Sequence, residues 1–184
     1  MSLTQIQRIQ LNKQVDKILH APGNQPARDN QLEMAFVLDC SSDKEFLKST
    51  VQDAVAGLKA HDKIFQNVRS NVVFWKDNDS FTTEVMPMSF IQMGKTFEDF
   101  DVNMEDKFVD NSTDLNELCG YLKLYHARSK CILVFTDCSE DRFYAVKSDK
   151  LIENLNPFLK YRLLIITPGK MITGSELLLK FIQG

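Results

Sequence analysis

Acidic and hydroxyl side chains follow an apolar stretch in the first quarter of the chain, in the sequence Asp39-Cys-Ser-Ser-Asp43. Positions 39, 41 and 43 alternate, so in a tight turn their side chains can point toward one spot. A second apolar stretch, residues 131–135, is also followed by an acid, Asp137. Carboxylate and hydroxyl oxygens are the ligands that Mg²⁺ and Ca²⁺ prefer. Residues of these types are chemically suited to contact a divalent cation, provided that the fold brings the two acids together.

Three short apolar runs are predicted to be buried strands, because they lack the alternation of a strand with one exposed face. They cover residues 34–38, 131–135 and 163–167. Helix-length segments separate and follow these runs. The chain is therefore predicted to be an α/β protein, with a mostly parallel central sheet and helices on both faces in a Rossmann-like arrangement.

A further pair of strands is predicted from Val68 to Trp75 and from Phe81 to Met86. The polar turn between them, residues 76–80, is too short for a crossover connection. The second strand must then return antiparallel to the first and form one antiparallel edge of the sheet.

The chain is predicted to begin with a helix over residues 4–19, followed by a polar linker that contains two prolines and a glycine. Residues 1–30 are therefore assigned to an N-terminal helix and linker, and residues 31–184 to the α/β domain. The apolar stripe of this first helix fits docking either on the domain or on another protein.

Ligands of open α/β sheets bind beyond the carboxyl ends of the strands. Asp39 and Asp137 both follow predicted strands at that edge. The loop of residues 111–114, which precedes a predicted helix, ends at the same edge. We therefore expect these three segments to meet in space although they lie far apart in the sequence.

With these three segments in this order along the sequence, the chain resembles the von Willebrand factor A domain family over roughly residues 32–183. The metal-ion-dependent adhesion site of that family has a D-x-S-x-S motif after the first strand, a threonine before a later helix, and an acid in a T-D-G turn after the fourth strand. The matching residues here are Asp39, Ser41, Asp43, Thr113 and Asp137.

The resemblance implies a non-catalytic protein-binding module. Ser41 and Thr113 would bind Mg²⁺ or Ca²⁺ directly, Asp39 directly or through a water, and Asp137 by holding an inner water. An open coordination position would take a carboxylate of a protein partner. Asp43 stands where the family has serine, and Cys138 where it has glycine. Three carboxylates beside one dication leave a net charge of −1, which favours Ca²⁺ and weakens the attraction for a partner's carboxylate.

Other interpretations of the same residues stay open. Ser42 or Asp43, and likewise Thr113, can serve as helix caps, with Ser42 and Glu45 forming a capping box. The domain can equally be a degenerate scaffold of this fold that binds no metal. A receiver-like phosphotransfer domain is a third interpretation, because Lys170 follows the last buried strand.

Composition narrows the class of partner and the compartment. The net charge of −3 comes without a basic run, which disfavours a nucleic-acid partner. No apolar run approaches the ~20 residues that span a bilayer, so no membrane contact is expected. The four cysteines show no C-x-x-C pair and are predicted to be buried thiols, as is typical of a cytoplasmic protein.

Overall fold

The computed structural model describes residues 3–19, 33–40, 42–61, 65, 68–75, 81–82, 86–87, 115–137, 149–155 and 159–183. Within these ranges the helices are α1 (Gln5–Leu19), α2 (Lys44–His61), α3 (Leu115–Tyr125), α4 (Asp149–Leu155) and α5 (Gly174–Gln183), with a 3-10 turn at Leu159–Tyr161. The strands are β1 (Glu33–Asp39), β2 (Arg69–Trp75), β3 (Phe81–Thr82), β4 (Met86–Pro87), β5 (Cys131–Phe135), β6 (Leu163–Thr167) and β7 (Lys170–Thr173).

The described strands form one sheet in the order β3-β2-β1-β5-β6-β7, with β4 also paired to β2. The four inner strands are parallel, and β1 lies between β2 and β5. Short antiparallel strands flank them, β3 and β4 beside β2 and β7 beside β6. The predicted fold class, a mostly parallel α/β sheet, is confirmed.

Alternation along the parallel strands divides the core into two layers. Phe36, Phe74 and Phe135 face α1 and α2, and the rings of Phe36 and Phe135 stack with centroids 6.3 Å apart. Val37 and Val134 face the opposite way, toward α3, α4 and α5. Both faces of the sheet are covered, which explains why the sequences of the inner strands are almost continuously apolar.

Helix α1 is part of the first of these core layers. Leu11 and Val15 are fully buried there, together with residues of α2 and the sheet. The helix begins with a reciprocal cap, in which the Gln7 amide N–H donates to Thr4 Oγ1 and the Thr4 amide N–H donates to Gln7 Oε1, both at 3.1 Å. Of the two docking modes open from the sequence, the structure shows α1 against the sheet. The linker lies outside the described residues.

Two elements differ from the sequence-based expectation. Only one antiparallel edge was predicted, but β7 forms a second one through a two-residue turn at Pro168-Gly169. Gly169 has φ of 77° there, as the third position of a type II turn requires. The sequence also predicts a helix around residues 149–160, disturbed by Pro157, whereas in the structure α4 ends at Leu155 and a 3-10 turn lies at Leu159–Tyr161.

Among the described helices, none is long and apolar enough to cross a lipid bilayer.

Candidate binding site at the carboxyl edge of the sheet

The parallel pairing of β1 with β5 brings the two predicted acids to neighbouring strand ends. Leu38 pairs with Phe135, so Asp39 lies beside Thr136 and Asp137 follows one residue later. Two segments that are almost a hundred residues apart thus meet at the carboxyl edge of the sheet. The proximity predicted for Asp39 and Asp137 is present.

Asp39 is a fully buried carboxylate. The Thr136 hydroxyl donates a hydrogen bond to Asp39 Oδ2 at 2.6 Å, and both residues have no solvent exposure. A buried carboxylate is costly unless it is hydrogen-bonded, so this contact stabilises Asp39 in its position. Thr136 belongs to the turn that resembles the family's T-D-G motif, but its hydrogen bond to Asp39 was not predicted from the sequence.

Ser42 connects the β1–α2 loop to the end of β5. The Asp137 amide N–H donates to Ser42 Oγ at 3.0 Å, and the Ser42 amide N–H donates to the Asp39 carbonyl at 3.0 Å. Ser42 is fully buried. It was predicted to cap α2 in a capping box with Glu45; that assignment is wrong, because α2 begins at Lys44 and the N-cap position therefore falls on Asp43.

Asp43 caps α2 instead. Its Oδ2 accepts a hydrogen bond from the Phe46 amide at 3.0 Å, which satisfies one of the unpaired N–H groups of the first helical turn. The Asp43 amide in turn donates to Asp137 Oδ2 at 2.8 Å. The capping role that the sequence left open for Asp43 is therefore observed, and Asp43 also lies directly beside Asp137.

These five residues form what we call the strand-end rim: Asp39, Ser42, Asp43, Thr136 and Asp137. Asp39, Ser42 and Thr136 make a buried layer, whereas Asp43 and Asp137 are exposed above it. The buried layer fixes the backbone of both loops. The exposed layer presents two adjacent carboxylates to solvent.

The other two predicted ligands, Ser41 and Thr113, lie outside the described residues. Within the described residues, no group of three or more His, Cys, Asp or Glu side chains is placed to hold a metal ion.

Trp75 occupies the position next to Asp39 across the sheet. The parallel register pairs the two residues, and the alternation of β1 and β2 places both on the α3 side. The indole is 1% exposed, and in the described part of the chain its Nε1 has no hydrogen-bond partner. Trp75 is thus a core residue, and the position of its indole N–H beside Asp39 was not predicted from the sequence.

The two described histidines lie away from the rim, at the amino edge of the sheet. His61 ends α2, where its Nε2 lies 2.6 Å from Asp16 Oδ2 of α1. His126 follows α3 and is 4% exposed; burial lowers its pKa, and the nearby charge of Glu33 opposes that shift. Neither imidazole is within reach of Asp39 or Asp137, since the length of the strands separates the two edges.

Cys40, Cys119 and Cys131 are buried thiols in the structure, as predicted. Cys40 follows Asp39, and its Sγ lies 3.7 Å from the Leu38 carbonyl oxygen. Burial raises the pKa of the Cys131 thiol far above its usual range, which keeps that thiol protonated and unreactive. Cys138 lies outside the described residues.

Comparison of the chain with models of protein families, with curated proteins and with solved structures finds no match. The geometry of the strand-end rim is thus the main observation that bears on function.

Proposed function

We propose that the chain is a non-catalytic protein-binding module of von Willebrand factor A type, which contacts its partner through the strand-end rim. One observation supports this proposal above the others. Three hydrogen bonds, Thr136 to Asp39, Asp137 to Ser42 and Asp43 to Asp137, join two sequence-distant loops into one surface. A surface held in this way is ordered before a partner arrives, so little conformational entropy is lost on binding.

The chemistry of the rim favours binding over catalysis. The Asp43 carboxylate accepts from the start of α2, and the Asp137 carboxylate accepts from the Asp43 amide, so both take part in the structure of the loops. The described histidines, the usual general bases, lie at the opposite edge of the sheet. The alternative of a receiver-like phosphotransfer domain is disfavoured by the antiparallel strands β3 and β4, which receivers lack.

We propose further that a divalent cation, Mg²⁺ or Ca²⁺, completes the rim. The observed hydrogen bonds of Asp43 and Asp137 use the Oδ2 atom of each carboxylate, so a cation would be held through the second oxygen of each. Asp39, Ser41 and Thr113 would supply the other protein oxygens. Bound there, the cation would offset the negative charge of the exposed layer and provide a coordination position for an oxygen of the partner.

Calorimetric titration of Mg²⁺, Mn²⁺ and Ca²⁺ into the full chain tests the cation. The double variant Asp43→Asn/Asp137→Asn keeps the hydrogen-bond acceptors of both side chains and removes their charges. We expect saturable heats for the native chain and for Glu153→Gln, which removes one exposed acid on α4, and negligible heats for the double variant. Equal heats for all three proteins would show that the cation binds elsewhere or without specificity.

Affinity capture with the same three proteins tests the protein-binding role, in the presence and absence of EDTA. A partner of the rim is retained by the native chain and by Glu153→Gln and is lost from the double variant. Loss on addition of EDTA additionally supports the cation, whereas retention in EDTA supports a scaffold of this fold that works without metal. A partner retained equally by all three proteins would rule out the rim as the contact surface.

We place the module in the cytoplasm. Cys40, Cys119 and Cys131 are buried as thiols, which suits a reducing compartment. Fractionation of cells that express the tagged chain checks this assignment.

A further inference from the structure

A cleft of about 110 Å³ opens at the amino edge of β6, opposite the strand-end rim. It lies between the last turn of α1, the 3-10 turn at Leu159–Tyr161 and the start of α5. Ile18 and Leu163, which are both buried, form its apolar floor. A space of this size accommodates several waters or one small ionic group such as phosphate.

The polar side chains that line this amino-edge cleft are cationic or neutral. They comprise the two lysines Lys17 and Lys160 together with the amide or hydroxyl groups of Gln14, Tyr161, Thr173 and Ser175. No acidic residue is among the described residues that line the cleft. Asp16, the neighbour of Lys17 in the sequence, is directed to His61 on α2. Apart from Ser175, whose hydroxyl donates to the Lys160 carbonyl, the polar side chains of the lining are of types that can donate a hydrogen bond to an oxyanion.

Local contacts fix the segments that carry these groups. The Ser175 hydroxyl donates to the Lys160 carbonyl at 3.0 Å, which ties the start of α5 to the 3-10 turn. The Lys160 ammonium lies 5.0 Å from the centroid of the Tyr161 ring. The Glu176 amide donates to Thr173 Oγ1 at 3.1 Å and fixes the first turn of α5. The cleft is thus largely preformed.

Each lysine also has a simple structural role. Lys17 lies in the last turn of α1, where a cation complements the helix dipole, and Lys160 packs on an aromatic ring. These roles explain each lysine separately. They do not explain why two lysines from distant elements line one cleft together with the donor groups of Gln14, Tyr161 and Thr173.

We propose that the amino-edge cleft binds the phosphoryl group of a phosphomonoester. A phosphomonoester carries a charge of roughly −1.5 to −2 at neutral pH and three acceptor oxygens, which two ammonium groups and the neighbouring hydroxyls complement. The apolar floor excludes water from one side and strengthens these interactions. The phosphoryl group can belong to a small molecule or to a phosphorylated side chain of another protein. This site is independent of the strand-end rim.

Two-dimensional amide NMR of the full chain, at constant ionic strength set with chloride, tests the site. Titration with inorganic phosphate, phenyl phosphate and a phosphoserine peptide should give saturable shifts at residues 160–161 and 173–175. Lys17→Gln and Lys160→Gln should each weaken binding about tenfold, the loss expected for one charge-assisted contact. Lys13→Gln, which removes an exposed lysine from the outer side of α1, serves as the matched control and should bind as the native chain does.

The relative affinities of phenyl phosphate and the phosphoserine peptide distinguish the two sources of the phosphoryl group. Three results would overturn the proposal. They are shifts that do not saturate with any of the three probes, equal affinity in the Lys17→Gln/Lys160→Gln double variant, and shifts of the same size with acetate at equal concentration.

Discussion

At the scale of single residues, the hydrogen bond between Thr136 and Asp39 should contribute most to the stability of the strand-end rim. Replacing Thr136 by valine keeps the shape of the side chain and removes a hydroxyl that donates to Asp39 Oδ2. We expect a loss of about 1–3 kcal/mol in the free energy of unfolding, because a buried carboxylate loses a donor. Urea denaturation measures this loss.

Thr50→Val is the matched control for that substitution. Thr50 is also buried, but its hydroxyl donates to the Phe46 carbonyl inside α2. Removing this hydroxyl therefore takes no hydrogen bond away from a carboxylate. The control substitution should lower the free energy of unfolding clearly less than Thr136→Val does. Equal costs for the two variants would mean that the Thr136 hydroxyl has no special role in holding Asp39.

The hydrogen bond that Asp43 accepts from the Phe46 amide and its negative charge can be tested separately. Asp43→Ala removes the cap on the Phe46 amide and should lower the free energy of unfolding by about 1 kcal/mol, whereas Asp43→Asn keeps an equivalent cap and should leave stability nearly unchanged. If the asparagine variant is as unstable as the alanine variant, the charge of Asp43 rather than its hydrogen bond stabilises the loop. Urea denaturation of both variants at pH 7 distinguishes these results.

At the scale of elements, α1 is expected to be required for stability rather than to be a removable extension. Leu11 is 1% exposed in the core, whereas Ile9 is 61% exposed on the outer side of the same helix. Leu11→Ala should cost roughly 2–5 kcal/mol, and Ile9→Ala less than about 0.5 kcal/mol. Similar small costs for both would indicate that α1 is not docked on the sheet in solution.

The secondary-structure elements also show how much of the fold could be predicted from the sequence alone. The unbroken apolar runs of β1, β5 and β6 predicted the parallel core, because a strand covered on both faces has no polar side to display. β7 was missed, although the Pro168-Gly169 turn signalled a hairpin, because residues 170–173 are too few to show a pattern of their own. Ser42 was misassigned because a serine before a helix usually caps it; here the hydroxyl contacts a strand that is distant in the sequence.

At the scale of the whole molecule, the acids of the strand-end rim and the lysines of the amino-edge cleft lie at opposite edges of the sheet. The carboxyl edge carries Asp39, Asp43 and Asp137. At the amino edge, burial and the neighbouring charge of Arg162 lower the pKa of Lys130. The sequence showed no basic cluster because the cations at this edge, like the lysines of the amino-edge cleft, come from separate segments that only the fold assembles.

The stability of the whole fold should decrease in mildly acidic solution partly through His126. Because burial lowers the pKa of His126, the unfolded chain binds a proton near its ordinary pKa of 6.5 while the folded chain does not. Stability from this residue is thus complete above pH 6.5 and is lost as the pH falls from there through the folded pKa. Urea midpoints measured between pH 8 and 5 should decline more steeply for the native chain than for His126→Gln; parallel curves would contradict this assignment.

The most direct test of the central claim is to locate a bound cation on the rim. Mn²⁺ broadens amide NMR signals only near its binding site, so the native chain and Glu153→Gln should lose the signals of residues 40–43 and 136–138 at low Mn²⁺. The Asp43→Asn/Asp137→Asn double variant should retain them. Broadening that is spread over other acidic surfaces, or that is the same in all three proteins, would contradict a cation-binding rim at the ends of β1 and β5.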